Sequence, residues 1–563
     1  MAKYAVGIDF GTLSARAVVV EIGTGREAGS AAMDYPHGVL EFALPDGTPL
    51  GDAWALQVPQ DYRECLTWTV REAMQNAGVN PADVVGLGID ATSNTMLPVD
   101  ADGCPLCEMR QFASNPYAYI MLWKHHGAQA YAERMLQCAR ERKEAFLWRY
   151  GDGISAEWMM PKLWQIAEEA PEVYTAADRF LEVGDWLVMN MTGQLAKSES
   201  MAGYKALWNR RDGYPSEEYL AALHPSLRTL ASDKLRGELY PLGTCAGTLL
   251  PQMAEKMGLC PGTAVAVASI DAHVSLPGIG LTDPGILLMI MGTSTCHIML
   301  GEEERPVAGI CGVVEDGVVP GTFGYEAGQS CCGDHFRWLT ENMVPASVER
   351  EAAEKNMDLH ALLSEKAARL KPGQSGLLAL DWWNGNRSVL MNMDLSGLIL
   401  GMTLQTKPEE IYRTLIEATA FGMRRILEGF EENGLPVQQL LACGGIARKN
   451  PLFMQIYADV CGREIRIGRS AQTSALGSAM FGTVAAGKAK GGYDTIREAA
   501  SAMGGTDPKP VVPDPEAHAV YNELYSEYLK LHDWFGRGGN DVMKHLRSMR
   551  RQIIDQRMHM DAD

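Results

Sequence analysis

Residues 2–25 read AKYAVGIDFGTLSARAVVVEIGTG, and this stretch decides the fold class. Val6, Ile8 and Phe10 alternate with smaller residues, Gly11-Thr12 turns the chain, and Ala17 to Ile22 continues as a largely β-branched run. That is the pattern of two strands joined by a tight turn. It recurs in the second half, where GILLMIM (Gly285 to Met291) runs into Gly292-Thr293-Ser294-Thr295 and on into the apolar Cys296 to Leu300. One strand–Gly-Thr–strand unit in each half suggests an internal duplication, two lobes of similar build facing each other. Two unrelated glycine hairpins are the alternative, so the remainder of each half must decide.

Each half supplies more. Val84 to Asp90 (VVGLGID) is an apolar strand ending in an acid and the polar loop Ala91-Thr92-Ser93-Asn94, with a hairpin turn expected at Asp100 to Gly103. Val265 to Ile270 is another apolar strand that ends in an acid, Asp271. In the second half a long helix is expected from Thr406, with Glu409 at capping-box spacing and Gly434 as its stop. Its buried stripe is Ile411, Leu415, Ala418, Gly422 and Ile426. Leu440 to Cys443 is a strand leading into Gly444-Gly445, and Asn450-Pro451 reads as the cap and first turn of the next helix. Strands alternating with helices at this spacing predict α/β lobes with sheets covered on both faces.

The expected division is a first lobe over residues 1–280, with a helical insertion at 125–225, a second lobe over 281–535, and a Met- and Arg-rich tail over 536–563. An amphipathic helix carrying Leu524, Tyr528 and Leu531 precedes that tail. The Pro/Gly-rich segment Pro277 to Pro284 is the expected hinge.

A formal net charge of −20 disfavours nucleic acid or an anionic membrane as a partner, because either needs a basic surface. Any anionic nucleotide must then be held by local backbone N–H groups, helix ends and a divalent metal. Twelve cysteines stand singly apart from Cys331-Cys332 and show no metal-ligand spacing, as reduced thiols of a cytoplasmic protein would. No apolar run approaches the ~18 residues of a membrane span. The opening strand enters its glycine turn at once, so no signal segment is expected before it.

These parts suit phosphoryl transfer, which needs donor phosphates held, a metal placed and an acceptor hydroxyl set beside a base. Gly11, Thr12 and Ser14 can aim backbone and hydroxyl groups at phosphate oxygens, and Gly292, Thr293 and Ser294 form a second cradle of the same type. Asp9 could hold Mg²⁺ through water, and Arg16 could reach phosphate or brace Asp9. The same residues also fit a plain β-turn with a surface arginine. Gly444 and Gly445 would let a flat base pack on the backbone, with Asn450 as helix cap and polar contact. Asp271 is the expected general base. His273 is its rival, although a continuing strand would turn it to the opposite face.

Four ordered motifs, DFGTLSAR (9–16), SIDAH (269–273), MGTSTC (291–296) and CGGIARKNPLFMQIYADVCG (443–462) followed by QTSALGSAMFG (472–482), resemble the FGGY carbohydrate kinases of the actin/sugar kinase/hexokinase superfamily. NPYAYIMLWKHHGAQ (115–129), ISAEWMMPKLWQI (154–166), AADRFLEVGDWLVMNMTG (176–193), AGYKALWN (202–209) and YEAGQSCCGDHFRWL (325–339) are similar to the branch that phosphorylates L-ribulose. The resemblance implies two actin-like (ribonuclease H-like) α/β lobes around a central cleft, ATP and Mg²⁺ as cofactors, and L-ribulose as the sugar. It implies Asp271 as base toward O5, Ser93, Asn94, Lys205 and Glu326 around the sugar, and Thr12, Thr293, Gly333, Gly445 and Asn450 around the nucleotide. It allows a homodimer. Another ketopentose or pentitol (D-ribulose, xylulose, ribitol) is the runner-up substrate. The reading from a different class is an actin-like ATPase that works as chaperone or sensor, which would need no base poised for an alcohol.

Overall fold

The structure, a computed structural model, describes residues 2–51 and 53–561. Met1, which the sequence places at the head of the opening strand, and the last two residues of the expected tail lie outside the described residues.

The first sheet is built from β1 (Tyr4–Phe10), β2 (Ser14–Glu21), β3 (Glu27–Asp34), β4 (Val84–Ala91), β5 (Cys245–Thr248) and β6 (Ala264–Ala266), with the short β7 (Ser269–Ile270) also on β4. Its order is β5-β6-β4-β1-β2-β3. β1, β2 and β3 form an antiparallel meander, while β4 joins β1, and β6 joins β4, in parallel.

The second sheet repeats this plan. It comprises β8 (Ile286–Met291), β9 (Thr295–Gly301), β10 (Gly312–Glu315), β11 (Phe323–Gln329), β12 (Gln439–Cys443) and β13 (Ile465–Ile467), in the order β10-β11-β9-β8-β12-β13. β8, β9 and β11 are antiparallel neighbours, and β12 then β13 add in parallel to β8. Five strands match in order and in parallel/antiparallel sense (β3-β2-β1-β4-β6 and β11-β9-β8-β12-β13), with β5 and β10 added at opposite edges, and this shared core makes duplication, not coincidence, the origin of the two hairpins. Each half is an actin-like α/β lobe.

Helices cover the sheets. α1 (Pro59–Ala77) packs on the outer face of the first meander, and the insertion contributes α2 (Met159–Glu169) and α3 (Glu199–Lys205). The 264–270 segment is broken into β6 and β7, and Asp271 opens α4 (Asp271–Gly278). The chain therefore does not continue as a strand past Asp271, and His273 is placed by helical geometry instead. Pro277 and Gly278, expected in the hinge, close α4, so the connection between the sheets is residues 279–285.

In the second lobe α5 (Gly333–Asn342) and α6 (Pro408–Glu432) cover the sheet. α6 is capped by Lys407, one residue later than the expected Thr406. Pro408 has no N–H to spend and suits the first helical position, and Glu410, not Glu409, turns back to accept from the Lys407 N–H at 2.8 Å. α7 (Pro451–Cys461) starts at Asn450, whose Oδ1 accepts from Phe453 N at 3.1 Å.

α8 (Thr473–Ala486) belongs by sequence to the second half, yet it lies on β1 and β4 of the first sheet. Glycine makes the approach feasible: a Cβ on Gly7 would stand 1.8 Å from Ala475 O, and one on Gly88 2.0 Å from Ser478 O. α9 (Pro515–Gly536) buries Tyr528 and half-buries Leu524 and Leu531 against the second lobe. The tail, unassigned from sequence, carries a last helix, α10 (Val542–Asp561). Among the described residues no helix is long and apolar enough to cross a membrane.

Candidate active site

Register brings the acids together. Asp9 pairs with Asp90 across β1 and β4, and Ser269 pairs with Asp90 across β7 and β4, so Asp9, Asp90 and Asp271 sit side by side where three parallel strands end. Both Gly-Thr turns are closed from the glycine N–H, Gly11 N donating to Ser14 O three residues on and Gly292 N to Ser294 O two residues on, each at 3.0 Å. Between them lies a cavity of about 320 Å³ lined by Asp9, Gly11, Thr12, Ser93, Lys205, Asp271, Thr293 and Arg387 among others. Asn94, Gly292 and Ser294 also line it.

Burial dominates the electrostatics at the hairpin end. It raises Asp9 from the ordinary carboxylate range, while a hydrogen bond from Asp90 and the charge of Arg16, its cross-strand partner, work the other way. Asp90 is raised well above that range, by burial and then by the Asp9 charge, which makes it the neutral member of the pair. The Asp271 carboxyl is pushed up to about 7, first by burial and then by the Asp9 charge, although Ala272 N donates to its Oδ1 at 2.7 Å. A carboxyl that titrates near neutrality can accept an alcohol proton at working pH.

Lys205, at the end of α3, donates to Ser93 Oγ at 3.1 Å and is ion-paired to Glu326 Oε1 at 3.0 Å. Lys205 is in the first lobe and Glu326 is on β11 in the second, so this bond crosses between lobes. Glu326 is 1% exposed and also meets His273 Nε2 at 3.2 Å and the Arg387 guanidinium. It stands behind Lys205 and Arg387, while those two cations face the cavity. Burial alone would raise Glu326, but Lys205, His273 and Arg387 outweigh it and hold the carboxyl far below its ordinary value. His273 is thereby committed to Glu326, and burial keeps its imidazole neutral.

The residues expected around the nucleotide fall in two groups. Gly333 N donates to Gly292 O at 3.0 Å, which seats the start of α5 against the second hairpin. Gly444 adopts φ +94° with Met291 O close by, and Gly445 opens onto free space. Asn450 Oδ1 is shared between its capping bond and Ser364 Oγ at 3.0 Å, so only its amide nitrogen remains for another partner. On the first hairpin, Thr12 Oγ1 accepts from Trp123 Nε1 at 3.0 Å and Thr12 O from Gln57 at 3.0 Å.

Several residues of the site escaped the sequence reading. Glu157, Trp123 and Cys296 line the cavity from stretches that carry the family resemblance (154–166, 115–129 and 291–296) without a role having been read for them, and Arg387 lines it from a stretch without a motif. Asp90 was visible as an acid closing a strand, but its role depends on register. Behind the 91–94 loop, Lys162 Nζ donates to Asn94 O and Leu122 O, both at 2.8 Å, and Glu182 accepts from Asn94 N at 3.1 Å. Asn94 itself is in the left-handed region at φ +58°, a conformation that these bonds hold in place. Burial draws Lys162 down to about 7 and lifts Glu182 to about 8. Lys162→Met leaves the Asn94 carbonyl without a donor, at roughly 1–3 kcal/mol, while Leu122 O keeps the bond from His125 N at 3.0 Å. The expected result is a lower melting temperature together with a raised sugar KM, read by thermal denaturation and initial rates.

The signatures of the FGGY family of carbohydrate kinases match twice, the N-terminal domain over residues 4–278 and the C-terminal domain over residues 287–486. This chain belongs to the FGGY family of carbohydrate kinases. It is 54% identical to a ribulokinase of Halalkalibacterium halodurans over 97% of this chain and 98% of that protein. It is 55% identical to a ribulokinase of Geobacillus thermodenitrificans over 97% of both. Among solved structures, a xylulose kinase from Rhodospirillum rubrum superposes with TM-score 0.74 at 21% identity, covering 94% of this chain and 98% of the other. A ligand-bound xylulose kinase from Lactobacillus acidophilus gives 0.77 at 16%, with 94% and 98% covered, a likeness of fold alone. The FGGY kinase is thus an enzyme, which removes the reading as a chaperone or sensor.

Proposed function

We propose that this carbohydrate kinase transfers the γ-phosphoryl group of ATP to O5 of L-ribulose, giving L-ribulose 5-phosphate, as a cytoplasmic step of L-arabinose breakdown. The observation that carries the reading is the likeness over nearly the whole chain to proteins named ribulokinase. The cavity suits it, with a base at one end and charged groups along its length.

The residues suit Mg²⁺ as well. Asp9 is a half-buried carboxylate facing the cavity, and its neighbour Asp90 is the neutral member of the pair. One carboxylate, acting through water beside nucleotide phosphates, is the hard oxygen environment that this ion takes. When bound, it would neutralise charge on the phosphates.

In the proposed step Asp271 takes the proton from the O5 hydroxyl as O5 bonds to the γ-phosphorus. The bond from that phosphorus to its bridging oxygen breaks, and ADP leaves with the electron pair. The Gly11–Ser14 and Gly292–Ser294 turns hold phosphates, with Arg16 supporting Asp9, while Gly333, Gly444, Gly445 and Asn450 surround the adenosine. Ser93, Asn94, Lys205 and, from behind, Glu326 fix the sugar. Movement of the lobes about residues 279–285 would exclude water and align O5 with the phosphate.

The test is an ADP-release assay over L-ribulose, D-ribulose, D-xylulose, ribitol and glycerol. L-Ribulose is expected to give the highest kcat/KM. A maximum on another pentose or pentitol would move the enzyme to that substrate, and equal rates on glycerol would overturn the assignment.

A further inference from the structure

Glu157 and Arg387 face the same cavity from opposite lobes, yet each has its ion pair elsewhere. Glu157 precedes α2 in the insertion and meets His126 Nε2 with Oε1 at 3.1 Å. Its other carboxylate oxygen has no hydrogen bond among the described residues. Arg387 lies beside β9 and β11 and pairs with Glu326 through one nitrogen. Its other donors reach only thiols, Nε to Cys311 Sγ at 3.2 Å and Nη1 to Cys296 Sγ at 3.8 Å. Thiols are weak acceptors, so most of the guanidinium's donor capacity is unspent.

The two groups are close enough for the Arg387 charge to act on Glu157. Burial would raise that carboxyl, but His126 and then Arg387 hold it below the ordinary range. They form no ion pair with each other. Opposite, partly desolvated charges that face one another without touching leave a slot for a group that both donates and accepts.

Its position along the cavity follows from Glu326, whose Oε1 serves both Lys205 and Arg387. Asp271 responds to the charges of Asp9 and Lys205, and Glu157 to those of Arg387 and Lys205, so Lys205 lies between Asp271 and the Glu157–Arg387 pair. We propose that Glu157 and Arg387 form the subsite for the non-reacting end of the sugar, the guanidinium donating to the C2 ketone and the carboxylate accepting from the C1 hydroxyl. This rests on the L-ribulose reading above and adds what distinguishes a ketose from a pentitol.

The test uses the full-length enzyme with L-ribulose and ribitol, comparing wild type with Arg387→Lys and Glu157→Gln. A lysine keeps the charge beside Glu326 but loses the fork. Arg387→Lys is expected to raise KM for L-ribulose about 10-fold and that for ribitol much less, because ribitol has no ketone to lose. Glu157→Gln should raise both KM values about 10-fold, since both substrates keep the C1 hydroxyl. In each case kcat should change by less than about threefold, because neither group touches the reacting atoms. Folded variants, checked by melting, that retain the wild-type KM and the wild-type L-ribulose/ribitol preference overturn the subsite. Should Arg387→Lys fail to fold, Glu157→Gln decides alone by its KM. A wild type inactive on L-ribulose would sink the proposed function, whereas an active wild type with indifferent variants sinks only this inference.

Discussion

Asp271→Asn should abolish most turnover, by about 100- to 10,000-fold in kcat, while L-ribulose still binds. The amide keeps the size of the carboxyl but cannot accept a proton from O5. Isothermal titration with the sugar and a coupled rate assay separate the two effects, and near-normal turnover would remove Asp271 from the role of base. In the wild type, kcat/KM should fall as pH drops through about 7, where burial has put this group.

The same substitution should make the protein more stable. Asp271 binds its proton more tightly when folded than its ordinary value near 3.8 allows. Between that value and about 7 the unfolded chain therefore carries fewer protons at this site than the folded one. Stability is lost as pH rises across this window, and at about pH 8 the wild type bears the whole cost of a buried carboxylate. An asparagine avoids that cost, so the variant should melt higher than wild type near pH 8, and the difference should vanish in acid. A variant that melted lower throughout would mean that the carboxylate is stabilised by its surroundings and not strained by them.

How much of this was legible beforehand depended on whether the determining contact was local. The Gly11-Thr12 and Gly292-Thr293 turns could be read because a glycine between apolar runs specifies its own geometry. The duplication followed from them, and sheet order then supported it. Asn450 and Pro451 could be read for the same reason, a cap being a relation between residues three apart. Asp90 was in view, but only the parallel register of β1 and β4 puts it next to Asp9. Arg387 has no surrounding pattern, Glu157 stands in a stretch read only for its family likeness (154–166), and their partners Glu326 and His126 are distant in sequence. Lys162 was hidden inside a helix that reads as apolar core, and its function lies in two carbonyls it reaches across the fold. The break before Asp271 was missed because β6 and β7 together look like one strand, whereas the helix start it permits is what turns His273 toward Glu326.

Glu326 is where the largest loss of stability is expected. Its carboxylate is shared by Lys205 and His273 from the first lobe and by Arg387 from the second. Glu326→Ala leaves two buried cations facing each other without a counter-charge, and breaking such a pair costs roughly 3–5 kcal/mol. Glu326→Gln retains the shape and one acceptor, so it should lose less, on the order of half. Thermal melts at neutral pH should rank wild type above Gln above Ala, with kcat/KM falling in the same order as Lys205 and Arg387 lose their common support. The dependence on pH has the opposite sign to that of Asp271. Here the folded carboxyl is held below its ordinary value near 4.5, so its contribution is complete above that value and disappears as acid protonates it. The melting gap between wild type and Glu326→Gln should thus be constant in neutral buffer, begin to narrow as pH falls below about 4.5, and go on narrowing with further acid. A gap that is unchanged in acid would show that Glu326 acts by packing alone, and the fastening of the two lobes would have to be sought in other contacts, such as Arg149 with Glu304 or Ser200 with Gly317 O.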